Sequence, residues 1–275
     1  MLRRPPSPRV GNFPSLCERR MNHGQRGGLL FGIRHAGVTV FLGEHAERGA
    51  ERRTIAFRLD ERGDDGLHRF KAGAAAEVLE RLGNVPLERV VFGRRFGSAT
   101  EKDVLKLLEA PRKRICELID GILVEKAMGF WESTLASIIT HYIWAYLDEL
   151  DLGMAFSPDA PIRVKTGRIR FPDTGFISWE RIDGEYDDKK WLINVMAELA
   201  VEVLSKSNTK KEMDNKLIDY FDAGVRLVWY VDPKTETIAV YTSPEAKTTL
   251  KIDDTLDGGD VLPGFSLPLK KLFRR

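Results

Sequence analysis

The chain has 275 residues, of which 43% are hydrophobic, so it is long and apolar enough for one large domain or two small ones with a buried core. Its 43 lysines and arginines nearly balance 41 acids, and this excludes a uniformly basic protein and confines any basic surface to a local patch. No apolar run approaches the ~18 residues that span a bilayer. Cys17 and Cys116 match no metal-ligand spacing, so we expect free thiols and a cytoplasmic protein without membrane contact.

The first 70 residues differ in composition from the rest. They contain no lysine, their positive charge comes from arginine, and their apolar pieces are short. We predict a poorly ordered basic extension over residues 1–70 that does not fold alone. The alternative is a basic arm that contacts phosphates.

Residues 71–112 are predicted to form a helical preface to the main domain. An alanine-rich helix spans Ala74 to Leu82, and a second helix begins at Thr100 and ends near Ala110, before Pro111. We interpret these helices as a packing appendage.

The main domain is predicted over residues 113–275, and it begins with a hairpin. Asp120-Gly121 lies between two apolar runs, and this dipeptide favours a tight turn. Glu117 precedes the turn, where an exposed edge-strand carboxylate is the plainest interpretation.

The longest helical pattern runs from Phe130 to Leu150, with aromatic and aliphatic residues recurring on one face. These residues are predicted to be core. Glu132 in the first turn is placed to complement the helix dipole.

A second hairpin joins Ala160–Val164 to Arg168–Ser178, and Pro172-Asp173 interrupts its second strand. Asp173 either bonds its own backbone in a turn or points its carboxylate at the neighbouring strand. Four basic residues near the turn are the best candidates for contacts with phosphates, the alternative being a solvated basic hairpin. They are Arg163, Lys165, Arg168 and Arg170.

The run Leu199–Leu204 has the composition of a buried strand, yet it contains Glu202. A carboxylate in such a strand must be paired or bind a metal, because burying it ionised and alone costs several kcal/mol or more. The sequence leaves two alternatives open: a partner arginine or lysine, and a metal ion.

A helix is predicted from Lys210, after the capping box that Thr209 forms with Glu212, to Gly224. The apolar run 225–231 then predicts a buried strand that pairs in parallel with the Glu202 strand. We therefore expect an α/β fold with a mixed central sheet, flanked by the long helix on one face and the Lys210 helix on the other. Lys216 lies at the edge of the helix's apolar stripe, where it could simply extend its stem over the core.

Taken together, these motifs resemble the Uma-type restriction endonucleases, a branch of the PD-(D/E)XK nuclease superfamily. The resemblance is carried by Pro172-Asp173, the Glu202 segment, Lys216 and the run 228–233, and extends from about Glu117 to Phe265. One departure is that Leu204 occupies the position where the superfamily has a lysine. Lys216 matches the lysine that members of this type carry on the next helix.

The resemblance implies a restriction endonuclease-like fold and metal-dependent hydrolysis of nucleic acid, with double-stranded DNA as the expected substrate. Asp173 and Glu202 would hold Mg²⁺ or Mn²⁺, and Lys216 would orient or deprotonate the water and neutralise charge on the phosphate. Glu117 and Glu132 match acidic positions that complete such a metal site. A homodimer is left open.

The competing hypothesis is a nucleic-acid-binding or structural domain that keeps the nuclease fold without hydrolysis, since fold does not guarantee chemistry. This alternative stays open because Leu204 occupies the position where the superfamily has a lysine.

Overall fold

The computed structural model describes residues 30–35, 38–47, 50–59, 67–91, 97–182, 191–192 and 196–274. The chain divides into two compact units, Met1–Ala76 and Glu77–Arg275. All the candidate site residues named above belong to the second unit. Cys116 is buried with a free thiol, whereas Cys17 lies outside the described residues.

Four strands form an antiparallel sheet in the first unit, in the order β1-β2-β3-β4. They are β1 (Leu30–His35), β2 (Val38–Glu47), β3 (Ala50–Leu59) and β4 (Leu67–Lys71). The sequence analysis expected an extension without folded structure and did not predict these strands. Residues 1–29 lie outside the described residues, and the domain boundaries at 70 and 112 stay predictions.

A chain that begins at Lys71 should remain soluble and melt within a few degrees of the full-length chain. The second unit has hydrophobic clusters of its own, including one formed by Leu82, Val85 and Val124, so removing residues 1–70 leaves its core intact. Thermal unfolding of both chains, followed by circular dichroism, checks this. Insolubility, or a melting temperature many degrees lower, would show that the first 70 residues belong to the fold.

A helix over Ala72–Arg81 crosses the boundary between the two units, and the helices and strands that follow it belong to the second unit. The helices are α1 (Ala72–Arg81), α2 (Glu101–Glu109), α3 (Phe130–Leu150), α4 (Trp179–Ile182), α5 (Lys210–Asp222) and α6 (Leu269–Leu272). The strands are β5 (Val90–Val91), β6 (Cys116–Ile119), β7 (Ile122–Glu125), β8 (Gly153–Phe156), β9 (Ile162–Lys165), β10 (Arg168–Arg170), β11 (Thr174–Ser178), β12 (Leu199–Val203), β13 (Leu227–Asp232), β14 (Thr237–Tyr241), β15 (Lys247–Leu250), β16 (Thr255–Gly258) and β17 (Leu262–Pro268).

This unit contains two larger sheets and a two-stranded antiparallel sheet of β16 and β17. One is five-stranded and antiparallel, in the order β5-β7-β6-β10-β9, and the other is six-stranded, in the order β15-β14-β13-β12-β11-β8. In the six-stranded sheet β12 and β13 pair in parallel, while its other neighbours are antiparallel. The predicted parallel pair, joined by α5, and the mixed central sheet are both confirmed.

The predicted hairpin between β6 and β7 is present, with φ of 49° at Asp120 and 83° at Gly121. Positive φ at both turn residues matches the primed turn that the Asp-Gly dipeptide favours. The long helix α3 has the predicted bounds, but Asp151 in the left-handed conformation ends it. Gly153 begins the next strand, β8.

The six-stranded sheet is covered on both faces, as predicted. Leu199, Val201 and Val203 of β12 belong to the same hydrophobic cluster as α3. Ala200, between them, belongs to a cluster with Met213 and Leu217 of α5. Since alternate residues of a strand point to opposite faces, Glu202 is placed on the α5 side.

Within the described part of the chain, no helix is long and apolar enough to cross a membrane.

Candidate active site

Glu202 lies in the middle of β12, and only 4% of its surface is exposed. Lys216 Nζ donates to both of its carboxylate oxygens at 3.0 Å, and the hydroxyl of Tyr220 donates to Oε1. Both donors come from α5, one turn apart, so the helix face that packs on β12 also supplies the partners of its carboxylate. Of the two alternatives that the sequence left open, the lysine partner is present.

Asp173 lies where the chain passes from β10 of the five-stranded sheet to β11 of the six-stranded sheet. Thr174 pairs with Val201, and continuing this antiparallel register places Asp173 opposite Glu202. Residues directly opposite in an antiparallel pair share a face. Asp173 Oδ2 accepts a hydrogen bond from the amide of Val203 at 2.6 Å, so the carboxylate points at the neighbouring strand rather than bonding only within its own turn.

The second oxygen of Asp173 contacts a lysine that the sequence analysis did not single out. Lys126 Nζ lies 2.7 Å from Asp173 Oδ1, and both side chains are buried. Lys126 follows directly after β7 and its amide donates to the carbonyl of Ile115 at 2.8 Å, which prolongs the pairing of the five-stranded sheet. The two sheets therefore contribute opposite charges to the same place.

Lys216 is positioned by the start of α5. Thr209 and Glu212 form the predicted capping box, and Glu212 also accepts two hydrogen bonds from Arg89, at 2.9 and 2.7 Å. This bidentate pair fixes the first turn of α5 to Arg89, which lies 123 positions earlier in the chain. Lys216, in the next turn, is 2% exposed and bridges two carboxylates, those of Glu202 and Glu117.

Glu117 is buried rather than exposed, which corrects the edge-strand interpretation. Its strand, β6, lies between β7 and β10, so it is not at the edge of its sheet. Glu117 Oε1 lies 2.9 Å from Lys216 Nζ, and Oε2 accepts from Arg170 at 2.7 Å. Burial raises its pKa, but these two cations outweigh burial and lower it to about 2.

Arg170 was predicted on a phosphate-contacting surface, and the structure corrects this, because only 2% of the residue is exposed. Its guanidinium donates to Glu117 and, through Nε at 3.0 Å and a terminal nitrogen at 2.6 Å, to Asp219 Oδ2. The guanidinium of one arginine thus donates hydrogen bonds to two buried carboxylates.

The other three basic candidates also have acidic partners. Arg163 pairs with Glu101 at 2.6 Å, and Arg168 pairs with Asp219 at 2.6 Å and with Asp120. The side chain of Lys165 is half exposed, with its ammonium 3.9 Å from Asp219. Contact of Arg163, Lys165 or Arg168 with nucleic acid stays a prediction, and of the three, Lys165 is the most exposed.

The charges of the site shift one another's pKa values. Burial lowers the pKa of Lys216, but Glu117 and Glu202 outweigh burial and raise it above its ordinary value. Burial raises the pKa of Glu202, and so do Asp173 and Glu117, against the opposing effect of Lys216 and Lys126. The pKa values of the two glutamates differ because Arg170 acts on Glu117 in addition to Lys216, whereas the carboxylate of Asp173 raises the pKa of Glu202.

Glu132 remains near the start of its own helix. A Cβ atom added at Gly129 would lie 2.2 Å from Glu132 Oε2, so the carboxylate folds back over the residue that precedes α3. This position fits complementation of the helix dipole. The role of Glu132 as a metal ligand stays a prediction.

Across the described ranges, no group of three or more histidine, cysteine, aspartate or glutamate side chains is arranged to hold a metal ion. Asp173 and Glu202 nevertheless supply hard carboxylate oxygens on one face of two adjacent strands. Mg²⁺ commonly binds through one or two protein carboxylates and keeps several waters, so the donor chemistry of this pair fits Mg²⁺ or Mn²⁺.

Substituting Arg170 with methionine should lower the free energy of unfolding by about 3–5 kcal/mol, because it leaves one buried oxygen of Glu117 and one of Asp219 without the guanidinium that binds them. Denaturant unfolding measures this. Lys210→Met is the matched control: its exposed pair with Asp214 should contribute less than about 1 kcal/mol. Equal losses in the two variants would contradict a buried network around Arg170.

The six-stranded sheet is mixed, has helices on both faces, and brings Glu202 and Lys216 into contact on one of them, with Asp173 opposite Glu202. The family model described as "Uma2: Putative restriction endonuclease" matches residues 102–270, well over half of the chain. The chain belongs to this family, and the family indicates a nuclease.

A solved structure shares the fold. It is a crystal structure of "a putative nuclease belonging to DUF820" from Anabaena variabilis, 20% identical to the chain with a TM-score of 0.55. The alignment covers 63% of this chain and 97% of the Anabaena chain. None of the curated proteins compared with the chain matches it.

Proposed function

We propose that the protein is a metal-dependent endonuclease that hydrolyses phosphodiester bonds of DNA, with Asp173, Glu202 and Lys216 as its catalytic residues. The observation that carries this proposal is the contact of Lys216 with Glu202 at 3.0 Å on the α5 face of the sheet, where Asp173 lies opposite Glu202. Lys216, on the helix that connects β12 to β13, would thereby supply the positive charge that a lysine at position 204 supplies in the superfamily. Leu204 itself packs with the hydrophobic residues on the α5 face.

Asp173 and Glu202 would hold the metal through Asp173 Oδ1 and a Glu202 oxygen. When bound, Mg²⁺ or Mn²⁺ supplies a water of lowered pKa and positive charge for the developing phosphorane oxygens. The protein's contribution is to fix the two carboxylates in space, and the amide of Val203 does this for Asp173.

Lys216 would act as a fixed positive charge rather than as a base. Its pKa is raised by Glu117 and Glu202, so at neutral pH the ammonium keeps its protons and has none of the acceptor capacity that water activation needs. Such a charge can orient the attacking water and stabilise negative charge on the phosphate.

The substrate is proposed to be double-stranded DNA, with Lys165 as the most exposed basic residue of the β9–β10 hairpin. The buried free thiol of Cys116 is compatible with the reducing cytoplasm that we propose as the location.

The second candidate function is a nucleic-acid-binding domain without hydrolysis, and one observation favours it. Every oxygen of Asp173, Glu202 and Glu117 already contacts a lysine, an arginine or a backbone amide. A divalent ion would have to compete with these partners.

Supercoiled plasmid incubated with purified protein separates the two functions. A nuclease nicks or linearises the plasmid with Mg²⁺ or Mn²⁺ and stops when chelator is added. A binding domain retards the DNA in a gel with and without metal, and leaves it supercoiled. The second result, from a folded protein, would overturn the proposed hydrolysis.

A further inference from the structure

Lys126 places a buried ammonium in the candidate site. Its side chain is 4% exposed, and its Nζ lies 2.7 Å from Asp173 Oδ1. Among the described residues, no acceptor receives a well-directed hydrogen bond from this Nζ. The ammonium is therefore held there mainly by its charge. A buried cation that lacks hydrogen bonds is less stable in its position than one whose N–H groups are all bonded.

The position of Lys126 relative to the carboxylates follows from the strand pairing. Glu117 pairs with Val124, so the two side chains lie on the same face of the five-stranded sheet. Lys126 is two residues after Val124 and therefore projects from that face as well. The charge of Lys126 also acts on Glu202, whose raised pKa it opposes. One ammonium thus lies within electrostatic reach of both carboxylates that are candidates for metal binding.

The two carboxylate oxygens of Asp173 have different partners, one a backbone amide and the other an ammonium. Oδ2 accepts the amide of Val203 at 2.6 Å, a contact that joins Asp173 to β12. Oδ1 is the remaining oxygen, and Lys126 is the group that contacts it.

We propose that Lys126 is a tethered competitor of the divalent metal, so that its ammonium must leave Asp173 Oδ1 before the metal binds there. This inference rests on the proposed function. A monovalent and a divalent cation at one carboxylate oxygen repel each other strongly away from bulk water. Lys126 would accordingly set the metal affinity of the site and neutralise Asp173 when no metal is bound.

The local structure allows the side chain to leave. Residues 126–129 form neither helix nor strand between β7 and α3. The amide of Lys126 is bonded to Ile115, so the backbone stays in place while the four-carbon stem swings. Met128 and Phe130 close by are exposed, which puts this connection at the surface.

Isothermal titration of the full-length chain with Mn²⁺ alone, without nucleic acid, tests the proposal. Lys126→Met keeps the length of the side chain without its charge, and we expect it to bind Mn²⁺ at least about tenfold more tightly than wild type. Lys126→Gln, which keeps a hydrogen-bond donor for Asp173, should also bind more tightly and serves if the methionine variant does not fold. The matched control is Lys270→Met, which removes the lysine of the exposed pair with Asp253 and should leave the affinity unchanged.

Affinity that is equal to or weaker than that of wild type in both Lys126 variants would overturn the competition. Asp173→Asn in the same titrations tells this failure apart from a failure of the proposed function. If Asp173→Asn loses Mn²⁺ while the Lys126 variants match wild type, the metal site stands and only the competition is wrong. If no form of the protein binds Mn²⁺, the metal site fails and the competition fails with it.

Discussion

Asp173→Asn and Glu202→Gln should each reduce metal-dependent cleavage to the background of the assay, a loss of at least about 100-fold. Losing a residue that only supports a ligand costs 10- to 100-fold in metal sites, and a ligand itself should cost more. Both substitutions keep the size of the side chain, so the effect on cleavage reports the lost charge. Single-turnover cleavage of plasmid with Mg²⁺ is the measurement.

The structure also predicts what these variants do to stability. Two facing carboxylates alone would repel, and removing one would then stabilise the metal-free protein. Here each carboxylate faces a cation, Lys126 for Asp173 and Lys216 for Glu202, so we expect both variants to be less stable than wild type but folded. The control is Asp253→Asn, at an exposed pair, which should change neither property. Wild-type cleavage rates in both site variants would place the catalytic site elsewhere.

Lys216→Ala should lower the cleavage rate by about 10²- to 10³-fold, the loss expected when one donor to the transition state is removed. Its ammonium contacts Glu202 and Glu117, so the variant also leaves buried carboxylates short of a cation. The free energy of unfolding should fall by about 3–5 kcal/mol. Cleavage must therefore be measured where unfolding curves show the variant to be folded.

Two further variants separate catalysis from stability at this position. Lys216→Arg should restore the charge yet recover only part of the activity, because a planar guanidinium cannot reproduce a compact ammonium. Leu204→Lys, added to Lys216→Ala, returns a lysine to the strand position and should raise activity again. Full activity in folded Lys216→Ala would contradict a catalytic role for this lysine.

The elements with strong local signals were predicted correctly. The periodic apolar residues of α3 predicted both of its bounds, and the capping box of α5 predicted its start at Lys210, because these signals lie within or beside the helix that they define. Helix α5 ends at Asp222, two residues before Gly224. The Asp-Gly turn follows from an equally local pattern. The parallel pairing of β12 with β13 follows from the order strand, helix, strand along the chain.

The charge network could be predicted only in part. A lysine partner for Glu202 was one of two open alternatives, since a buried carboxylate needs a partner but the sequence does not say which. Tyr220 lies four residues after Lys216, and this spacing could have indicated a second donor to Glu202.

Other members of the network carry no sequence signal. Lys126 follows a strand in a connection without periodicity, and it meets Asp173 only because two sheets approach each other. The burial of Arg170 depends on Glu117 and Asp219, which lie 53 and 49 positions away in the chain. A basic residue beside a turn is normally solvated, so the surface prediction for Arg170 followed the usual pattern and was wrong.

Asp173 and Glu202 are proposed to hold a divalent ion jointly, beside Lys216. Anomalous diffraction from crystals soaked in saturating Mn²⁺ tests it most directly. We predict a single strong peak about 2 Å from Asp173 Oδ1 and from a Glu202 oxygen, with Lys126 moved away from Asp173. A peak at other carboxylates, or no peak between Asp173 and Glu202 in crystals of a protein that cleaves DNA with Mn²⁺, would contradict the account.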